Sequence, residues 1–247
     1  MILSNLATVC RSSGLVVEEV AGWKTRGHGS FESIEAVVAH HTGTPLKLAG
    51  DYPTLKTVRD GRPGLDGPLS QLGLGRSGKV YVIAAGVAWH AGVVFEQWQN
   101  NWHAIGIEAE HDGVSAWPAV QYQAYVRLCR TLADAYDVPV SRVVGHKEIA
   151  KPLGRKPDPI FSMPQFRTDV ARLGGTPGGT PTPPKEDEVD KAEVDDIVQG
   201  YALWARANEL AIDLELAKAR GDAVAVKVLT PRAAKMDADW RAHGAGK

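Results

Sequence analysis

Cysteine is nearly absent: the 247-residue chain has two, Cys10 and Cys129, too few and too far apart for a disulfide framework. Both are expected to be buried thiols of a protein made in a reducing compartment. Excess charge is lacking as well. Twenty-eight Lys+Arg stand against 29 Asp+Glu, a formal net charge of -1, which excludes the global basic field that gathers nucleic acid. The longest apolar stretches, such as Val80 to Ala85, fall far short of the roughly 20 residues of a bilayer span, so no membrane insertion is expected. Met1 to Val9 has no Lys or Arg before its apolar residues and runs into Cys10 and Arg11. It therefore lacks the charged region and small-residue cleavage site of a signal peptide. A first helix is expected there, buried by Leu3, Leu6 and Val9 and stopped near Gly14. Internal repeats are not found either.

What is present is a composition of 44% apolar and 23% charged residues, enough for one good core and a second small unit. Glu35 to His40 and Lys79 to Ala84 are short runs rich in β-branched residues and bounded by Gly, Pro and Asp, as buried strands are. Ala104 to Glu108 and Arg142 to Gly145 resemble them. Ala119 to Tyr136 places Val120, Tyr122, Tyr125, Val126, Leu128, Leu132 and Tyr136 at helical spacings. Strands interleaved with helices over about 170 residues imply an α/β domain. Gly174 to Pro184 has no side chain for a core and reads as a linker. The organisation expected is an α/β domain over 1–173, a Gly/Pro/Thr-rich and acidic linker over 174–190, and a helical segment over 191–247. That last segment carries Ile197, Val198, Tyr201, Trp204, Leu210, Ile212, Leu214 and Leu216. One helix cannot bury such a face alone, so it is expected to need a partner, such as the first domain or a second copy of the segment.

Eight histidines occur, and three places matter: His40-His41 at a strand end, Trp89-His90 after a strand and turn, and His146 at another strand end. A hydrolytic zinc needs three ligands of the His, Asp, Glu or Cys type and an open fourth position for water. His40, His146 and Asp158 are of the right kinds. Adjacent strand residues face opposite ways, so only one of His40 and His41 easily reaches a metal that His146 also reaches. Asp158, before a proline, also reads as a turn residue.

The runs VVAHHTGTP (Val37 to Pro45), VAWHAG (Val87 to Gly92), IGIEAE (Ile105 to Glu110) and VVGHKEIAKPLGRKPDP (Val143 to Pro159) resemble, in order and spacing, those of N-acetylmuramoyl-L-alanine amidases that share a fold with peptidoglycan recognition proteins. The resemblance spans about Gly22 to Phe166. It implies an α/β fold with a central mixed sheet flanked by helices, and a zinc ion held by His40, His146 and Asp158. It also implies Glu108 as the group that takes and passes protons, with Glu110 as the alternative, and Lys156 as the cation beside the oxyanion. Trp89, His90, His41 and Thr42 are expected to meet the substrate, although a buried structural Trp89-His90 pair fits the sequence too. Ile160, where Gly is usual, and Ala104, where Ser is common, depart from the pattern.

The activity implied is cleavage of peptidoglycan between N-acetylmuramic acid and L-alanine. A linker followed by a second module, without a signal peptide, points to a phage endolysin made in the host bacterial cytoplasm and released to the wall, in which the segment over 191–247 is expected to bind the cell wall or to self-associate. The rival is a peptidoglycan receptor that binds stem peptide without cutting it.

Overall fold

Ala36–His41 is buried along its whole length, and a strand covered on both faces reads as a continuous apolar run rather than an alternating one. It lies inside a six-stranded sheet in a computed structural model of the chain. The structure describes residues 1–173 and, beyond them, 223–224, 226–232 and 234–235. These later residues are helical; the rest of the expected linker and C-terminal segment lies outside the described residues. No helix among the described residues is long and apolar enough to cross a membrane.

In chain order the elements are α1 (Leu6–Ser12), β1 (Val17–Glu19), β2 (Ala36–His41), α2 (Leu55–Asp60), β3 (Gly61–Arg62), β4 (Leu65–Asp66), β5 (Leu72–Leu74), β6 (Val80–Val82), β7 (Ala104–Ala109), α3 (Ala119–Ala135), β8 (Val143–Gly145), α4 (His146–Ile149) and α5 (Met163–Leu173). The sheet runs β1-β6-β5-β7-β2-β8. Only β5 and β6 are antiparallel, so the sheet is mixed, as expected. β3 and β4 form a separate small hairpin.

The two sheet faces differ in what covers them. Val37, Ala39, Ile105, Ile107, Leu72 and Leu74 pack against Leu3 and Leu6 of the N-terminal region, Tyr122, Tyr125, Leu128 and Leu132 of α3, and Phe166 and Val170 of α5. Cys10 and Cys129 are free thiols buried in the same layer, and burial pushes the Cys10 thiol up to about 12. The opposite face is thinner: Ala36, Val38, Ala104 and Val144 meet Ala91 and Ile149, while Tyr81 and Ile83 meet Tyr52 and Val58. Val120, expected on the buried stripe of α3, is 56% exposed. It lies on the outer face of α3 with Arg127, while the adjacent Gln121 and Tyr122 are fully buried.

Candidate metal centre

Two strand ends and one returning loop converge. β2 ends in His40-His41, β8 leads directly into His146, and the chain after α4 brings back Asp158. His40 Nδ1 and His146 Nδ1 are 3.0 Å apart, and Asp158 Oδ2 is 3.1 Å from each. All three residues are buried, and they form the one such group of potential metal ligands found among the described residues. Three donors bonded tetrahedrally at about 2.0–2.1 Å to one ion sit roughly 3.3 Å apart, so the triangle needs to widen only slightly to accept one. Two imidazoles and a carboxylate also suit zinc chemically. His146 Nε2 lies 3.1 Å from the carbonyl oxygen of Ala91. A carbonyl can only accept, so Nε2 carries the proton and Nδ1 of the neutral ring is left with its lone pair toward the triangle.

Local folding explains this meeting. A Cβ at Gly145 would fall 2.9 Å from Pro159 Cδ and 3.0 Å from Met163, so glycine lets the Asp158-Pro159 segment cross tightly under the end of β8. The Gly145 amide donates to Glu148 Oε2 at 2.9 Å, and Arg167 grips the same carboxylate through both of its terminal nitrogens. The loop after α4 is strapped to the segment following His90: Lys151 N donates to Val93 O, and Arg155 donates to Ala91 O and Val93 O. Burial opposes the charge of Asp158, but the adjacent His146 and His40 outweigh it and hold the carboxyl well below its usual range. Burial also lowers His146 to about 4.

A cleft of about 1000 Å³ opens over the triangle, lined by His41, Thr42, Trp89, Glu108, Lys156 and Asp158 among others. That volume suits a small-molecule or peptide ligand. Glu108 stands opposite His40 in the parallel β2–β7 register. Burial pushes its carboxyl up to about 7, and the nearby His40 and Lys156 pull the other way. Its Oε2 is buried without a hydrogen-bond partner among the described residues. Lys156 lines the cleft, and burial lowers its pKa.

Glu110 has a different setting. β7 ends at Ala109, so the alternation expected to aim Glu110 alongside Glu108 stops one residue short. Its carboxylate accepts from the Thr54 amide at 3.1 Å, from the Thr54 hydroxyl, and from Thr42 Oγ1 at 3.2 Å. Thr54 precedes the first turn of α2, so Glu110 ties that helix to the sheet.

Of the residues expected to meet substrate, Trp89 lines the cleft and stacks on His28 at 4.3 Å. His41 also lines it and lies beside His111 and Trp117, on the face opposite His40; burial lowers its pKa to about 4. Thr42 borders the cleft with its hydroxyl bonded to Glu110 and Thr44. His90 is 6% exposed, and both ring nitrogens are engaged within the protein: Nδ1 with His40 Nε2 at 3.1 Å and Nε2 with Ala104 O at 3.0 Å. Sequence reasoning missed Asn101, Arg62 and Arg155 as cleft residues. Arg155 had a signal in its place beside Lys156; Asn101 and Arg62 had none.

The sequence matches the family model described as N-acetylmuramoyl-L-alanine amidase over residues 30–161. No curated protein matches it significantly. Among solved structures, a selenomethionine derivative of AmpD is similar at 24% identity and TM-score 0.47, covering 62% of this chain and 93% of its own. The N-acetylmuramoyl-L-alanine amidase LysC from Clostridium intestinale is similar at 19% identity and TM-score 0.48, with 63% and 97% covered. AmiD from E. coli, in complex with anhydro-N-acetylmuramic acid-L-Ala-D-gamma-Glu-L-Lys, is similar at 20% identity and TM-score 0.43, with 70% and 73% covered. Because the family match takes in more than half of the chain, including His40, Glu108, His146 and Asp158, this protein belongs to the N-acetylmuramoyl-L-alanine amidase family.

Proposed function

We propose that the chain cleaves peptidoglycan between N-acetylmuramic acid and L-alanine, with His40, His146 and Asp158 holding zinc, Glu108 moving protons and Lys156 supporting the oxyanion. The observation that carries this reading is the triangle of buried donors 3.0–3.1 Å apart, two of which, His146 and Asp158, line a cleft. Zinc bound there supplies a water of lowered pKa and polarises the scissile carbonyl. Glu108, lining the cleft on the strand next to His40, is placed to take a proton from water and return one to the leaving nitrogen. The Lys156 ammonium, in a site partly shielded from water, gains most when the carbonyl oxygen becomes an oxyanion, so its attraction favours the transition state over the ground state. Trp89, His90, His41 and Thr42 border the space for sugar and stem peptide.

Digestion of purified peptidoglycan by the full chain, read by mass spectrometry, tests this. Intact glycan strands with free L-Ala amino termini are expected, with activity lost on chelation and restored by zinc. New reducing ends, or binding of stem peptide without cleavage, would sink the reading in favour of a glycosidase or a receptor.

The setting that best fits a catalytic domain over 1–173, a linker over 174–190 and a helical segment over 191–247 is a phage endolysin, with the last segment as a wall-binding or self-association module. Produced in a bacterial cytoplasm, it should lyse cells only after the membrane is permeabilised. Lysis without permeabilisation would count against the endolysin role.

A further inference from the structure

The site description leaves His90 without a chemical role, although it is buried and the fold makes space for it. A Cβ at Gly106, in the strand bearing Glu108, would fall 2.6 Å from His90 Cγ. The backbone on either side is pinned too: Asn101 Oδ1 accepts from the amides of both His90, at 3.0 Å, and Ala91, at 2.8 Å. Ala91 in turn offers its carbonyl to His146 Nε2. One short segment therefore stands behind both imidazoles of the triangle, through the His90 side chain on one side and the Ala91 backbone on the other.

The direction of each hydrogen bond follows from its last member. Ala104 O can only accept, so His90 Nε2 is the protonated nitrogen, and Nδ1 of the neutral ring is an acceptor. That acceptor faces His40 Nε2 at 3.1 Å, which must then carry the proton of His40. His40 Nδ1 is left with its lone pair directed at His146 and Asp158. From this chain we infer that His90 is a positioning residue: it fixes the tautomer and ring orientation of His40 for the metal, while Asn101 holds the segment that does the same for His146. Outer partners of this kind are worth about 10–100-fold in metal affinity. The inference rests on the metal reading above.

NMR of the zinc-loaded full chain with 15N-labelled histidine reads the tautomers without any substitution. The expected result is a proton on Nε2 of both His90 and His40, with His90 Nδ1 shifted as a hydrogen-bond acceptor. Chelator competition supplies the second readout. His90→Phe should weaken zinc binding about 10–100-fold, and His90→Asn, whose Oδ1 can replace Nδ1 as acceptor, should recover most of that loss. A proton on His90 Nδ1 in the zinc-loaded protein would overturn the inference alone. So would zinc affinity of His90→Phe within twofold of wild type, or equal losses in the two variants when their metal-free forms melt alike. If the wild-type chain bound no zinc at all, the metal reading would fall and this inference with it.

Discussion

The two faces of β2 and β7 are built from the same twelve residues and do opposite work. On one face Val37, Ala39, Ile105 and Ile107 project into the helix-covered core. On the other, small residues come first: Ala36 and Ala104 pack in a minor cluster, and Gly106 leaves its space to the His90 ring. At the carboxyl end of that second face stand His40 and Glu108. Side chains alternate with period two along a strand, so one pair of strands fills a core with its own bulk on one side and recedes on the other to admit side chains from loops. The core face meets apolar side chains of the helices that cover it. The site face depends on residues from far along the chain, His90, His146 and Asp158.

Breaking the site face at its metal end should give the largest effect. His40→Ala or His146→Ala is expected to abolish both stoichiometric zinc binding and wall hydrolysis, because two donors cannot hold the ion as three do. Metal analysis of the purified variants checks this. Full zinc content in His40→Ala would mean that another histidine supplies the donor.

Glu108→Gln separates chemistry from metal binding on the same face. Turnover should fall by at least about 100-fold, the usual worth of a positioned proton-transfer group, with zinc retained. Stability should move the other way. Burial raises this carboxyl from 4.5 to about 7, so its charged form is disfavoured in the fold. The resulting penalty is absent below the unfolded pKa, grows as pH rises from about 4.5 to 7, and is fully present above it. In metal-free protein, Glu108→Gln should therefore melt with wild type at pH 4 and above it at pH 8, by at most roughly 3 kcal/mol. A variant less stable than wild type at pH 8 would contradict a setting that disfavours the charged form of Glu108.

On the core face the expected outcome is the reverse. Ile107 is fully buried one residue before Glu108, and Ile107→Ala should cost about 2–5 kcal/mol of stability. Zinc affinity of the folded variant, measured well below its melting temperature, should stay within a few-fold of wild type. A loss of zinc matching that of His40→Ala would show that the two faces are not separable.

The sequence disclosed these faces unevenly. β2, β7, β8 and α3 were each placed to within a residue or so at most ends, because β-branched runs bounded by turn residues and a 17-residue amphipathic helix carry strong local periodicity. β1 and β5, three residues each, are too short to show any period, and their pairing is set by neighbours distant in sequence. α5 was likewise not anticipated, although Phe166 and Val170 are fully buried. The triangle of His40, His146 and Asp158 was readable from motif order. The engagement of His90 with His40 was not, since it spans 50 residues and its one local trace is a glycine in the IGIE run.

The two glutamates give the smallest and sharpest test of the comparison. Spacing of two along a strand would have placed both in the cleft, but Glu110 lies just past the end of β7 and is 1% exposed, with Thr42 and Thr54 as its partners. Glu110→Gln keeps one acceptor oxygen and turns an amide toward groups that both donate. It should forfeit a charge-assisted bond and leave a donor facing a donor. A loss of about 1–3 kcal/mol is expected, read as a lower melting temperature. Wall hydrolysis at a temperature where the variant is folded should stay within about threefold of wild type, because the proposed proton transfer runs through Glu108 and not Glu110. If hydrolysis instead fell about 100-fold while the melting temperature held, and Glu108→Gln remained active, the proton-transfer role would belong to Glu110. A chemically active carboxylate would then sit at the base of α2, and alternation along β7 would not be what divides the site from its supports.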